Sequence, residues 1–408
     1  MQLHVVDAVD SSRSGMLTIR ANFLLLLLFG PCCCQGLIAT PSQQHQRQNR
    51  RCATEGGISQ SPRESGSSSS SNSLLEQIRK QATVWADTAD VGTVERLARS
   101  LGLDDVTTNP SIVSATARRE DGAAGGTDLR LQTHIKPGTA SALGDHERIA
   151  VDLGRRLLDI VPGRVCTQLD IRCKDAGEMV AKAHDLVAAY KKMGVPQERV
   201  LIKTPATWEG IRATERLEQE GIKCLVTLVC SQVQGRAAAE AGASLIATYV
   251  GRVSDWHKTA ATNKGAATAN ASKDPGVVLT ADLKEYFVAH GFSTEVMAAS
   301  FRNADQVAAL AACDHLTIAP GLLEELATLP PRDSLPGMIS RDASEVLRTP
   351  SARSTEEADA VTPARLGETT FHAALRRDVC GTDVLRSSIE GFTRDTLALE
   401  DAIAKAKQ

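Results

Sequence analysis

From Leu74 onwards the chain alternates eight short apolar runs with stretches of helical character, such as Val94–Leu101 and Glu178–Met193. This alternation is typical of a parallel α/β fold. Eight strands is the number that closes a (β/α)8 TIM barrel, whereas a doubly wound open sheet is disfavoured because no G-x-G-x-x-G follows the first run. The eight runs are Thr83–Asp87, Asp105–Thr108, Arg164–Asp170, Val200–Thr204, Lys223–Val229, Leu245–Val250, Glu295–Ser300 and His315–Ile318.

Residues 1–72 have the composition of a targeting leader. The apolar run Phe23–Phe29 follows Arg13 and Arg20, which is the layout of a signal peptide and is too short to span a bilayer. Gln43–Ser73 is rich in Ser, Gln and Arg and poor in acids, as transit peptides are. We therefore expect a disordered leader that directs the chain to a plastid through the secretory route. The alternative is a disordered extension on a cytoplasmic protein.

The barrel is expected to occupy residues 74–330, followed by a loop and helices over 331–408 that pack on it. Residues 257–282 are polar and indicate an inserted loop, and residues 331–368 form a second irregular stretch. Val384–Lys405 indicates an amphipathic helix outside the barrel. Its apolar positions are Leu385, Ile389, Phe392, Leu397, Leu399 and Ile403.

Charge and cysteine content narrow the classes of partner. A net charge of -3 provides no field that would hold nucleic acid or an anionic membrane. Six of the ten cysteines lie in the expected barrel and C-terminal region, without metal-ligand spacing. We interpret them as small buried apolar residues in a reducing compartment, and we expect no metal site.

Polar residues close the apolar runs, at the barrel end where TIM-barrel active sites form. Lys203 ends a continuous apolar strand, where burial disfavours the charged form of an amine and favours a nucleophile. A structural ion pair is the alternative. Arg252 and Arg302 suit a phosphate dianion, unless they merely pair with neighbouring carboxylates such as Asp255 and Asp305. The residues that close the runs are Asp87, Asn109, Gln168, Lys203, Thr227, Tyr249 with Arg252, and Ser300 with Arg302.

Several segments together resemble the successive signatures of the transaldolase family, in family order and spacing, from about Leu74 to the C-terminus. They are Thr83–Thr88, Val106–Ser111, Ile202–Gly210, Glu240–Gly242, Val250–Arg252 with Asp255 and Trp256, Asp274–Val278 and Ala299–Asn303.

The resemblance implies a lysine Schiff-base enzyme that needs no metal or organic cofactor. Lys203 would attack the keto carbon of a ketose phosphate, and Asp87 would move the proton of the C4 hydroxyl. Asn109 would hydrogen-bond substrate hydroxyls or the intermediate, and Thr227 would help to hold a water. Arg252 would grip the phosphate together with Ser300 and Arg302. The partners would be small sugar phosphates of the pentose phosphate pathway, and a homodimer is left open.

Two departures from the family pattern bear on the reaction. Most transaldolases of this type carry Glu at the position of Gln168 and Phe at the position of Tyr249. Both changes resemble the fructose-6-phosphate aldolase branch, which releases free dihydroxyacetone. A transaldolase is therefore the first hypothesis and such an aldolase the second. A non-catalytic barrel is the third, against which Asp87, Asn109 and Lys203 argue.

Overall fold

The computed structural model describes residues 73–118, 143–262, 273–335 and 365–407. These residues contain eight parallel strands that pair in chain order, and the eighth pairs with the first to close a barrel. The (β/α)8 fold is therefore confirmed. The strands are β1 (Thr83–Asp87), β2 (Asp105–Thr107), β3 (Val165–Gln168), β4 (Val200–Pro205), β5 (Cys224–Val229), β6 (Leu245–Tyr249), β7 (Glu295–Ala299) and β8 (His315–Ile318).

Helices precede, separate and follow these strands. They are α1 (Leu74–Arg79), α2 (Val91–Leu101), α3 (Pro110–Ala117), α4 (Asp145–Leu158), α5 (Ala176–Lys192), α6 (Trp208–Gln219), α7 (Gln232–Glu240), α8 (Val250–Thr262), α9 (Pro275–Ala289), α10 (Ala304–Ala309), α11 (Pro320–Thr328), α12 (Glu368–Arg377) and α13 (Val379–Ala406). The leader expected over residues 1–72 lies outside the described residues.

All eight strands lie where the apolar runs predicted them, and their ends differ by at most two residues. Helix α2 begins three residues before the predicted Val94. Its start is set by Asp90, whose side chain accepts a hydrogen bond from the Thr93 amide at 2.7 Å.

The prediction of an inserted loop over residues 257–282 is wrong at both of its ends, where the structure has helices. Helix α8 continues to Thr262, and α9 begins at Pro275. Asp274 caps α9 by accepting hydrogen bonds from the Gly276 and Val277 amides, and proline is favoured at a first helical position. The polar composition of the segment concealed this helix start. Residues 263–272 lie outside the described residues.

Hydrogen bonds and register identify the inward face of the barrel. The Thr107 and Thr317 hydroxyls lie 2.5 Å apart although β2 and β8 are not neighbours, so both point inward. Thr107 is in register with Cys166, and Gln168 two residues on is in register with Lys203. Because residues in register share a face, Gln168 and Lys203 also point into the barrel.

Trp85 is linked by hydrogen bonds to the first residues of β8 and β7, at the amino-terminal end of the barrel. Trp85 Nε1 donates to His315 Nδ1 at 3.1 Å, and His315 Nε2 lies 3.0 Å from Glu295 Oε2. A cavity of about 590 Å³ lies at this end, bordered by Thr83, Glu295 and His315. The side chains predicted to carry chemistry therefore occupy the opposite end.

The C-terminal helix α13 contains the predicted amphipathic segment and packs on α3, α4 and α8. Leu397 differs from the expectation, since it is 47% exposed. Arg172 ties the helix to the barrel by donating to Asp170 Oδ2 at 2.6 Å and to Glu400 Oε1 at 2.8 Å. Within the described ranges, no helix is both long and apolar enough to cross a membrane.

This ion-pair cluster should make the docking of α13 sensitive to acid. Burial acts to raise the pKa of Asp170, but hydrogen bonds from His146 and Arg172 outweigh it and hold that pKa low. The hydrogen bond from Arg172 lowers the pKa of Glu400. Since both folded-state pKa values lie below the unfolded ones, the stabilisation is complete above the unfolded values of about 4 and is lost as the pH falls.

We expect Glu400→Gln to lower the free energy of unfolding at pH 7 by up to about 1 kcal/mol, a limit set by the partial exposure of the pair. The difference from the wild type should shrink below about pH 4. Thermal unfolding between pH 7 and pH 3 measures it. Glu390→Gln, an exposed site on the same helix, is the control. Equal effects of the two substitutions at pH 7 would contradict the role of the cluster.

Candidate active site

Lys203 lies on β4 with only 4% of its surface exposed. Its Nζ donates a hydrogen bond to the Thr108 carbonyl oxygen at 3.1 Å, just beyond the end of β2. Among the described residues no carboxylate oxygen lies within 4.0 Å of this amine, so the structural ion pair considered from sequence does not form. The amine is held by a neutral acceptor inside the barrel.

Asp87 ends β1 on the same inward face. Its Oδ1 accepts a hydrogen bond from Thr107 Oγ1 at 2.8 Å. Burial raises the pKa of Asp87 above that of an ordinary aspartate. The charge of Lys203, the hydrogen bond from Thr107 and the charge of Arg252 act in the opposite direction but do not outweigh burial. A carboxyl group poised in this way is suited to proton transfer, because its pKa is shifted toward the working pH of an enzyme.

Asn109 follows β2 and begins α3. Its Oδ1 accepts a hydrogen bond from the Ile112 amide at 3.0 Å, which makes Asn109 the N-cap of the helix. This bond orients the side-chain amide, whose Nδ2 is then the group that can donate to a ligand. The adjacent Thr108 carbonyl holds Lys203, so one short segment serves both the helix and the amine.

Gln168 and Tyr249 end β3 and β6, and Thr227 lies two residues before the end of β5. Both amide atoms of Gln168 are buried without a hydrogen-bond partner among the described residues. The Thr227 and Tyr249 hydroxyl oxygens lie 3.5 Å apart, longer than an ordinary bond between hydroxyls but close enough for both to contact one water. Burial raises the pKa of Tyr249, which keeps its phenol protonated as a donor.

Backbone strain borders the site at two places. Leu228 has φ 65° and Ser300 has φ 64°, the only positive values among the described non-glycine residues. Leu228 lies where the pairing of β5 with β6 slips between Val226 and Val229, next to Thr227. Such conformations cost about 1–3 kcal/mol each and concentrate at functional sites.

The two arginines predicted to bind phosphate follow neighbouring strands, β6 and β7. Arg252 donates from Nη1 to Ser388 Oγ at 2.8 Å and lies over the Tyr249 ring, 5.3 Å from its centroid. Arg302 donates from Nη1 to the Ser300 carbonyl at 2.7 Å and pairs with Asp255 at 2.9 Å. Of the carboxylate pairings considered from sequence, only that of Arg302 with Asp255 forms.

Sequence reasoning missed several residues that hold these groups in place. Gln306 Oε1 accepts from the Arg302 amide at 2.8 Å, and Gln234 Nε2 donates to the carbonyls of Ala206 and strained Leu228. Each glutamine lies three residues after a helix-capping residue, a capping pattern that is readable in the sequence. Ser388 is a fully buried polar residue on the apolar face of α13, which was a second available signal.

The cysteines of the described residues form no disulfide. All six in the described residues are free and buried, and burial raises the pKa of the Cys166 thiol to about 12. Their interpretation as buried apolar residues is confirmed. In the same part of the chain, no three His, Cys, Asp or Glu side chains form a group that could hold a metal ion.

Comparisons with known proteins point to one family. A family model described as Transaldolase/Fructose-6-phosphate aldolase matches residues 84–403. A transaldolase of Rhizobium etli (strain CIAT 652) is 39% identical over 345 residues, which cover 82% of this chain and 98% of the relative. A transaldolase of Cellvibrio japonicus is 38% identical over 338 residues, covering 82% and 99%. One of Thermosynechococcus vestitus is 36% identical over 338 residues, covering 81% of each chain.

Gly251 directly precedes Arg252 and packs against Ser300 and Arg302, so a substitution there tests whether these residues form one anion site. A Cβ at this position would lie 2.1 Å from the Ser300 carbonyl oxygen and 2.7 Å from Arg302 Nη1. We expect Gly251→Ala to weaken the binding of inorganic phosphate, measured by calorimetry, because Ser300 and Arg302 must move. The overpacking should also cost about 1–3 kcal/mol of stability.

The matched control is Gly391→Ala in α13, where an added Cβ meets only Arg394 Nη2 at 3.8 Å. Alanine is more favourable than glycine in a helix interior, so this variant should be as stable as the wild type or more stable. It should also bind phosphate normally. If Gly251→Ala binds phosphate with unchanged affinity, then Ser300 and Arg302 do not take part in the anion site.

Proposed function

The chain belongs to the transaldolase/fructose-6-phosphate aldolase family, and we propose that its barrel is a transaldolase with Lys203 as the nucleophile. The reaction transfers a dihydroxyacetone unit between sedoheptulose 7-phosphate and glyceraldehyde 3-phosphate, giving erythrose 4-phosphate and fructose 6-phosphate, in the pentose phosphate pathway. The observation that carries the proposal is a buried amine with no carboxylate of the described residues within 4.0 Å, on the same inward face as a carboxyl group with a raised pKa.

The first steps form the Schiff base. The Lys203 amine attacks the keto carbon of the donor, and loss of water from the carbinolamine gives an iminium ion. Gln168, Thr227 and Tyr249 present an amide and two hydroxyls with which to hold that water. The closeness of the Thr227 and Tyr249 oxygens supports this assignment, as does the lack of a protein partner for the Gln168 amide.

Carbon–carbon cleavage follows. Asp87 accepts the C4 hydroxyl proton, the bond between C3 and C4 breaks, and its electron pair neutralises the iminium to give an enamine on Lys203. The first aldose phosphate leaves and the acceptor aldehyde enters. The enamine then attacks the acceptor carbonyl, Asp87 returns the proton to the new hydroxyl, and hydrolysis frees Lys203. Asn109 Nδ2 would donate to substrate hydroxyls.

The phosphate would bind between Arg252, Ser300 and Arg302. The two guanidiniums follow adjacent strands, and Arg302 is already fixed to the Ser300 carbonyl. Because donor and acceptor both carry the group, one anion site serves each half of the reaction.

The sequence also leaves a homodimer open, which light scattering of the purified chain distinguishes from a monomer.

We expect fructose 6-phosphate plus erythrose 4-phosphate to yield glyceraldehyde 3-phosphate and sedoheptulose 7-phosphate. Borohydride with fructose 6-phosphate should attach a three-carbon adduct to Lys203, mapped by mass spectrometry. Lys203→Ala should abolish the adduct and the activity, because no other described lysine lies on a barrel strand. Lys223→Ala, at an exposed lysine just before β5, is the control. An adduct on another lysine would falsify the assignment. If the wild type does not turn over these substrates, the hypothesis of a non-catalytic barrel is favoured.

A second candidate is an aldolase that releases free dihydroxyacetone, which Tyr249 and Gln168 favour. Transfer requires that the enamine survive until the acceptor binds. The Tyr249 hydroxyl can position a water near it, whereas Gln168 cannot accept a proton from that water as a glutamate would.

We therefore expect Tyr249→Phe to lower the release of dihydroxyacetone without an acceptor, and Gln168→Glu to raise the rate of transfer. The measurement is the ratio of dihydroxyacetone released from fructose 6-phosphate alone to sedoheptulose 7-phosphate formed from fructose 6-phosphate plus erythrose 4-phosphate. Tyr190→Phe, at a buried tyrosine bonded to Thr167 outside this set, is the control. An unchanged ratio in both active-site variants would mean that these two residues do not set the partition.

For localisation, we propose that residues 1–72 are a leader that delivers the barrel to a plastid. The apolar run Phe23–Phe29 and the Ser- and Arg-rich stretch after it support this assignment. A fluorescent fusion of residues 1–80 should enter the organelle, and the same fusion with Leu26→Arg should not. A chain that starts near Ser73 should be fully active. Cytosolic fluorescence from the unaltered fusion would favour the cytoplasmic alternative.

A further inference from the structure

The C-terminal helix contacts Arg252, one of the residues assigned to phosphate binding, through a buried hydroxyl. Ser388 is completely buried in α13, and its Oγ accepts a hydrogen bond from Arg252 Nη1 at 2.8 Å. The same Oγ donates its proton to the Val384 carbonyl at 2.6 Å. Because a hydroxyl has one proton, that donation leaves its lone pairs directed to the guanidinium.

An aromatic ring of the same helix supports the contact. The Arg252 guanidinium carbon lies 5.8 Å from the centroid of Phe392, one helical turn after Ser388, and 5.3 Å from that of Tyr249. Both distances are within the range of a cation–π interaction. Arg252 is therefore held between a ring of the barrel and a ring of the helix, with its Nη1 anchored on Ser388.

The neutrality of this anchor sets Arg252 apart from Arg302. Arg302 pairs with Asp255, and that carboxylate offsets part of its charge. In the described ranges no carboxylate lies within 4.0 Å of Arg252, and its hydrogen-bond partner is uncharged. A hydroxyl restricts the motion of the long side chain while leaving its full charge for a phosphate.

We propose that Ser388 is a positioning residue that orients Arg252 for the phosphate group of the substrate, so that α13 completes the active site. The proposal rests on the assignment of Arg252 to phosphate binding. Ser388 itself contacts no substrate, so its effect should pass entirely through Arg252 and should concern binding and not the covalent chemistry at Lys203.

The test is a double-mutant cycle on the full chain. Ser388→Ala should raise the KM for fructose 6-phosphate and the dissociation constant of inorganic phosphate about 3–10-fold, as expected for one lost hydrogen bond to a charged group. The kcat and the borohydride trapping of unphosphorylated dihydroxyacetone should stay within about twofold, since neither depends on the phosphate grip. In the Arg252→Ala background, Ser388→Ala should cause no further change.

Ser387→Ala is the matched control, because Ser387 Oγ donates to the same Val384 carbonyl at 3.2 Å and does not contact Arg252. It should leave both constants unchanged. The proposal is overturned if Ser388→Ala leaves phosphate affinity unchanged, or if it acts equally in the presence and absence of Arg252. A wild type that neither binds phosphate nor turns over fructose 6-phosphate would instead refute the assigned function and the proposal with it.

Discussion

A lysine amine buried on the inward face of a closed barrel is the constraint on which the rest of this structure depends. A buried ammonium group requires hydrogen bonds, yet a carboxylate in direct contact would favour its charged form and oppose nucleophilic attack. The barrel gives Lys203 Nζ the Thr108 carbonyl as acceptor, and no carboxylate of the described residues lies within 4.0 Å of it. Asp87 stays hydrogen-bonded to Thr107 on the same inward face, where it can serve the substrate and not the lysine.

The ends of the strands depart from regular geometry to present the other groups. Leu228 and Ser300 adopt positive φ values that regular strands do not allow, one beside Thr227 and the other in contact with Arg302. The surrounding structure must stabilise these conformations. Gln234 binds the Leu228 carbonyl, and the Gly251 amide donates to the Ser300 carbonyl at 3.1 Å. Strain thus lies at the carboxyl end of β5 and just after β7, and nearby hydrogen bonds compensate for it.

The C-terminal helix connects the stability of the barrel with its chemistry. At one end it is tied to the barrel through Arg172 and Glu400, and in its middle Ser388 and Phe392 hold Arg252. A helix outside the barrel proper is therefore part of the active-site wall.

Local pattern in the sequence determined the strands, because a parallel strand buried on both faces is a short apolar run wherever it occurs. It also determined which polar residues lie at or near the carboxyl ends of those strands, Lys203 and Asp87 among them. It misjudged the start of α9, where a polar composition concealed the cap at Asp274. Only the tertiary structure decided that Thr108 and not a carboxylate holds Lys203, that Arg302 but not Arg252 pairs with Asp255, and that Ser388 meets Arg252. These contacts join residues that are 95, 47 and 136 positions apart, and no local pattern specifies them, because they depend on barrel closure and helix packing.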